Sequence, residues 1–261
     1  MARTQKIFDL AGKPVGKIKL PRVFETPYRP DVIKRAVLAS QSHRFQPQGR
    51  NPMAGKRTTA ESRGVGLGLA RVPRLKGPRG RAAFAPGTVG GRDAHPPVSA
   101  KRSVKKISKK ERRLALLSAI AATASKALVS ERGHRIEDIP QIPPIVTREL
   151  ENTRKTAEVE EILINLGVLS DIFKVKESRR LRAGKGKMRG RKTKQALGPL
   201  IVVAKDGGIL NAARNIPGVE VVTVDGLDAE VLAPGTHAGR LTIYTDNAIG
   251  QLDKIFKSEE V

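Results

Sequence analysis

Leu200-Ile201-Val202-Val203-Ala204 is five apolar residues in a row, with no polar position to turn toward water. A strand of that composition is buried on both faces, as in a parallel sheet covered above and below. Two further runs read alike: Val219-Glu220-Val221-Val222-Thr223-Val224 is mostly β-branched, and Leu241-Thr242-Ile243-Tyr244 follows. Segments 211–215, 227–232 and 247–256 fit helices between and after these strands. Strands alternating with helices predict an α/β unit with a mainly parallel sheet.

The pattern extends upstream. Ala157, Ile162, Leu163 and Leu166 predict a helix over 147–166, stopped at Gly167. Ser108-Lys109-Lys110-Glu111 reads as a capping box, in which the Ser oxygen takes a free N–H and the Glu reaches back. It opens a helix with a stripe of Leu114, Leu117, Ala121, Ala124 and Leu128, for which Gly133 is the stop. Near the start, 5–10 and 15–20 read as short strands around Gly12 and Gly16. A Pro-rich turn at 24–31 then leads into a helix with Val32, Ile33, Ala36, Val37 and Ser40 on one face. No repeat of fixed period is present. The globular part is therefore expected at 1–41 and 108–261.

Between them, 42–107 has no sustained period of 3.6 or 2. It holds ten Gly, seven Pro, and fifteen Lys/Arg from Arg44 to Lys106 against two acids, Glu61 and Asp93. Structureless loops longer than about 12–15 residues are rare in compact domains and usually serve a function. This one is too basic to collapse alone, so it reads as an arm that orders within a polyanion. Doubled back, each leg reaches at most ~110 Å at ~3.3 Å per residue. A second basic segment, 174–194, carries eleven Lys/Arg against one Glu and reads as a flexible strip whose backbone can approach phosphates.

The whole chain has 50 Lys+Arg and 25 Asp+Glu, a net charge of +25, which is the electrostatic footprint of a nucleic-acid binder. Membrane binding would need a basic helix with a bulky apolar face, and the basic segments are full of Gly and Pro. The longest nearly apolar run, 114–124, is too short to span a bilayer, and no secretory signal is visible near the start. With no cysteine, disulfides and Cys-ligated zinc are excluded. Aromatics are only 3%, so phosphate contacts and Arg planes, rather than base stacking on rings, must carry the binding.

Enzymatic motifs fail on inspection. Gly64-Val65-Gly66-Leu67-Gly68 lacks the third glycine in register and a preceding strand, so no dinucleotide cofactor is expected. The stretch Gly184–Thr193 misses the GxxxxGK[ST] spacing. His43, His95, His134 and His237 are scattered, without metal spacing, and read as surface or RNA-contact residues. Asp225 and Asp228 read as caps. The Lys101–Arg113 cluster reads as the root of the arm in preference to a nuclear-localisation signal. No catalytic residue, metal or cofactor is expected.

Several separate blocks, in order, resemble one family. They are Val23-Phe24-Glu25-Thr26-Pro27-Tyr28-Arg29-Pro30-Asp31, AESRGVGLGLARVPRLKG at 60–77, Gly90-Gly91-Arg92-Asp93-Ala94-His95-Pro96-Pro97, and RAGKGKMRGRK at 182–192. Together they resemble the universal large-subunit ribosomal protein L-four family in its archaeal and eukaryotic branch. With no long basic C-terminal extension, the chain resembles archaeal members. Arg63 stands where that branch usually has Trp, and Leu67 where it often has Arg.

The resemblance implies a three-layer α/β domain with one long irregular extension. That extension would thread between rRNA helices to the wall of the nascent-peptide exit tunnel. The implied partners are large-subunit rRNA, neighbouring large-subunit ribosomal proteins and, near the arm tip, the nascent peptide. The implied location is cytoplasmic, in the large subunit, with no membrane contact. The expected rRNA-binding residues are Arg44, Arg50, Lys56, Arg57, Arg63, Arg71, Arg74, Lys76, Arg79, Arg81, Arg92, Lys101 and Arg102 in the arm. Lys185, Lys187, Arg189, Arg191 and Lys192 are expected to add a second clamp. The expected tunnel tip is Arg71, Val72, Pro73 and Arg74. A free RNA chaperone or assembly factor shares the charge pattern and is the rival; an enzyme with a basic docking loop would need a site the sequence lacks.

Overall fold

The structure is a computed structural model that describes residues 4–77 and 80–257. Its described strands, in chain order, are β1 (Thr4–Phe8), β2 (Pro14–Lys19), β3 (Ile145–Val146), β4 (Arg180–Leu181), β5 (Thr193–Lys194), β6 (Leu200–Val203), β7 (Glu220–Thr223) and β8 (Thr242–Thr245). Six of them form one sheet in the order β2-β1-β3-β8-β6-β7. Only the β1–β2 hairpin is antiparallel; the other four pairings are parallel.

Helices cover both faces. Leu200, Val202 and Tyr244 point into one core, shared with α1 (Pro30–Ser42), α2 (Lys109–Thr123), α7 (Ala229–Leu232) and α8 (Asp246–Lys257). Ile201, Val203 and Ile243 point into the other, shared with α3 (Lys126–Glu131), α4 (Thr156–Asn165), α5 (Leu169–Glu177) and α6 (Ile209–Ala213). All four residues of β6 are fully buried, the arrangement that a continuous apolar run predicts. The Tyr244 ring meets Phe24 edge-on at 5.6 Å, and its hydroxyl pairs with Thr123 Oγ1 at 3.0 Å. Burial raises the Tyr244 pKa, keeping the phenol neutral.

The boundaries differ from the sequence reading in instructive places. The helix expected from 108 to 133 is two, broken at Ala124 and Ser125. The stop falls where expected: Gly133, at φ 98°, donates to Ser130 O, and His134 N donates to Val129 O, the paired bonds of a Schellman motif. Gly167 closes α4 in the same way, through Ile164 O and Val168 N to Leu163 O. The helix expected over 147–166 starts late, because 145–152 is taken by β3 and a 3-10 turn at Arg148–Asn152. β3 is only two residues long, too short to leave a period in the sequence. Ser108 Oγ does accept from Glu111 N at 3.1 Å, while the Glu111 carboxylate lies on Arg35 at 2.6 Å.

The chain divides into two compact units, Met1–Ser40 with Lys106–Val261, and Gln41–Lys105. The second has almost no interior: among its described residues only Ser42 is buried. Its chain doubles back on itself. Lys105 N donates to Ser42 Oγ at 2.9 Å and Arg50 N to Pro97 O at 3.1 Å. Farther out, Glu61 and Arg74 exchange backbone bonds at 3.1 and 3.0 Å, and Ala83 N donates to Pro73 O at 2.9 Å. The loop 62–73 therefore stands at its far end, where Leu75 N also donates to Arg81 O at 2.9 Å.

This division predicts where stability resides. Ile201→Ala should cost about 2–5 kcal/mol in denaturant unfolding of the full chain, because it opens a cavity in a closed core. Val65→Ala, at a side chain 69% exposed, should stay within ~0.5 kcal/mol of the parent.

Candidate nucleic-acid interface

In the second unit, backbone and side chains divide the work. Both acids are already occupied: Glu61 by Lys76 Nζ at 3.3 Å, and Asp93 by the Arg50 guanidinium. Arg74 is half-buried, and its Nη1 donates to Gly80 O at 3.0 Å. Arg92 lies over the Phe84 ring, 5.7 Å from its centre, while its own backbone N donates to Phe84 O at 3.3 Å. These four basic residues thus brace the unit internally. Arg44, Lys56, Arg57, Arg63, Arg71, Arg81, Lys101 and Arg102 are exposed, which leaves a surface dominated by cations. Arg79 lies outside the described residues.

The glycine run at 64–68 is a loop. Gly64, Gly66 and Gly68 all take left-handed φ, with nothing within 4 Å of the place a Cβ would occupy. Only glycine takes that conformation cheaply, so the chain zigzags and leaves Val65, Leu67 and Leu69 in solvent at 69, 58 and 49% exposure. The strand and helix of a dinucleotide site are absent around it.

The second basic segment is more ordered than a flexible strip. Its first residues belong to α5, and the rest forms a hairpin of β4 and β5. A 3-10 turn over Gly184–Arg189 closes at Gly190, φ 79°. Arg182 fastens it: its N donates to Lys192 O at 2.9 Å and its Nε to Arg191 O at 3.1 Å. Alternation was hidden here because each strand is two residues long. Lys185, Lys187, Arg189, Arg191 and Lys192 are all exposed, and none of the five pairs with an acid among the described residues. The hairpin presents five uncompensated charges on a defined turn.

Elsewhere in the first unit the polar residues serve the fold. His134 is not on the surface as expected: it is buried, with Nδ1 2.8 Å from Asp171 Oδ2, while Asp171 Oδ1 accepts from Arg135 N. The 37 residues separating the pair hide it from any local spacing rule. Asp228 caps α7, accepting from Ala229 N at 2.8 Å. Arg240 is fully buried, donating to Gly198 O, Val231 O and Glu220 Oε2. Burial lowers its pKa, and the Glu220 contact partly restores it. Arg132, half-buried, is pushed down to about 10 by desolvation and then by the Arg240 charge. At the surface, the Arg29 guanidinium holds the Asp31 carboxylate down to about 2. No three His, Asp or Glu among the described residues cluster to hold a metal, and no described helix is long and apolar enough to cross a membrane.

The chain is similar to known proteins along nearly its whole length. The model of the ribosomal protein L4/L1 family matches residues 18–255. The large ribosomal subunit protein uL4 of Methanosphaera stadtmanae is 53% identical over 96% of each chain. Those of two Saccharolobus islandicus strains are 50% identical over 95% of this chain and 93% of their own.

Proposed function

We propose a role that starts from one premise: the chain belongs to the ribosomal protein L4/L1 family, as a structural, non-enzymatic protein of the large ribosomal subunit. Its residues 42–107 form an arm that penetrates and stabilises large-subunit rRNA, and the β4–β5 hairpin is a second clamp on the same RNA. The observation that carries this is a compact unit with one buried residue and a large excess of Lys and Arg. Such a unit cannot offset its ordering entropy by burying apolar surface. Phosphates can supply what is missing, through bidentate Arg contacts and the release of condensed counterions. RNA held in this way is read by shape and 2′-OH groups more than by sequence.

Within the arm, Arg71 is assigned to RNA and Arg74 to bracing the tip through Gly80. Val72 and Pro73 then offer a stiff face to the nascent peptide in the exit tunnel, since Pro fixes φ and removes a donor. The arm's distal position in its own unit supports this reading, as does the family segment at 69–76. A stable place in the subunit separates this function from that of a free RNA chaperone or assembly factor, which high salt would wash from the particle.

Replacing Lys185, Lys187, Arg189, Arg191 and Lys192 together by Ser should weaken rRNA binding while the first unit still folds. The slope of log K against log salt should flatten by up to about 4 for five lost phosphate contacts. An unchanged slope would make the hairpin a solvated face. For the tip, a photo-crosslinker in a stalled nascent chain should mark 69–76. Marks confined to 89–97 or to the first unit would refute the tunnel assignment.

A further inference from the structure

The second unit has an open cleft of about 270 Å³. At ~30 Å³ of liquid per water, this is room for roughly nine waters, ample for one planar ring system. We infer that the cleft receives a single unpaired nucleobase, an inference that rests on the RNA-binding reading of the arm.

The lining suits a flat aromatic ring. Ala54, Ala83 and Gly90 contribute almost no side chain, so the wall is largely peptide backbone. Met53, 47% exposed, brings a polarizable thioether, which makes favourable contacts with aromatic rings. Gly55 fixes the wall's shape: at φ 74° it passes so close to the Gly91 carbonyl that a Cβ would strike it. The absence of Phe, Tyr or Trp from the lining agrees with a chain in which rings are scarce.

The polar groups suit a base edge. Asn51 Oδ1 accepts from Met53 N at 2.9 Å, which orients the amide and leaves Nδ2 to donate to a ring nitrogen or carbonyl. Thr58 Oγ1 accepts from Ala60 N at 3.3 Å and keeps its own proton to give. Arg57, also in the lining and exposed, supplies a cation for the phosphate of the same nucleotide. The unit's two acids are paired elsewhere, so no carboxylate repels that phosphate. Unstacked bases splayed out of loops and bulges are what proteins read in single-stranded RNA. A purely apolar protein side chain would leave Asn51 and Thr58 unused.

The test uses the full-length chain, large-subunit rRNA and a reagent that modifies the Watson–Crick edges of unpaired bases. Wild type should protect one single-stranded nucleotide that Ala83→Leu, which narrows the cleft, leaves reactive. Affinity should fall ~10-fold, within the range for losing one stacked base, while the salt slope stays unchanged because no charge is removed. Met53→Ala, at an exposed position that threatens no core, should lower affinity in the same direction by a smaller factor. Wild-type affinity and an unchanged footprint in both variants would overturn the base pocket and leave the RNA-binding reading intact. An absence of salt-dependent rRNA binding by wild type would overturn both.

Discussion

Like charge without a core is the constraint on which the rest of this molecule depends. A segment that buries one residue and carries fifteen cations against two acids gains little from folding and loses through self-repulsion. Among the described residues, its internal bonds include paired backbone groups, side chain–backbone bonds such as that of Arg74 to Gly80, the ion pairs of Arg50 with Asp93 and Lys76 with Glu61, and a cation over a ring. Such exposed contacts contribute about 0–1 kcal/mol each. They define a shape, and in the proposed role a polyanion supplies the stability.

The first unit is built on the opposite terms. Its sheet is closed on both faces by helices, and its buried ionisable side chains His134 and Arg240 have partners, His134 in Asp171 and Arg240 in three acceptors, although Arg240 Nη2 has none. The glycines at 133 and 167 end helices within a single turn. That rigidity lets a short hairpin display five cations as a defined surface, three on the turn Gly184–Arg189 and two, Arg191 and Lys192, just after it. Charge is thus presented in two ways, on a hairpin carried by a stable domain and along a chain that has none of its own.

Legibility in the sequence followed length and burial. The strand at 200–203 was visible because burial on both faces leaves an unbroken apolar run, and those at 220–223 and 242–245 because they are rich in β-branched residues. β3, β4 and β5 were not, since two residues carry no period. The break between α2 and α3 was hidden because the apolar stripe runs through it. The basic character of the interface was plain from composition. Which cations are spoken for was not, because Arg74 with Gly80 and Arg92 with Phe84 depend on how the chain folds back. The His134–Asp171 pair was misjudged for the same reason: its partners lie far apart along the chain.

The most direct measurement is amide hydrogen exchange at Arg74 and Ala83 in the free chain and in its complex with large-subunit rRNA. Both amides are bonded within the second unit. Opening free energies near zero mark segments without buried contacts, and values near the global one mark cores. The expected result is rapid exchange in the free chain, while the amides of β6 stay protected, and strong protection of both sites once RNA is bound. Protection of Arg74 and Ala83 equal to that of β6 in the free chain would contradict the dependence of the arm on RNA.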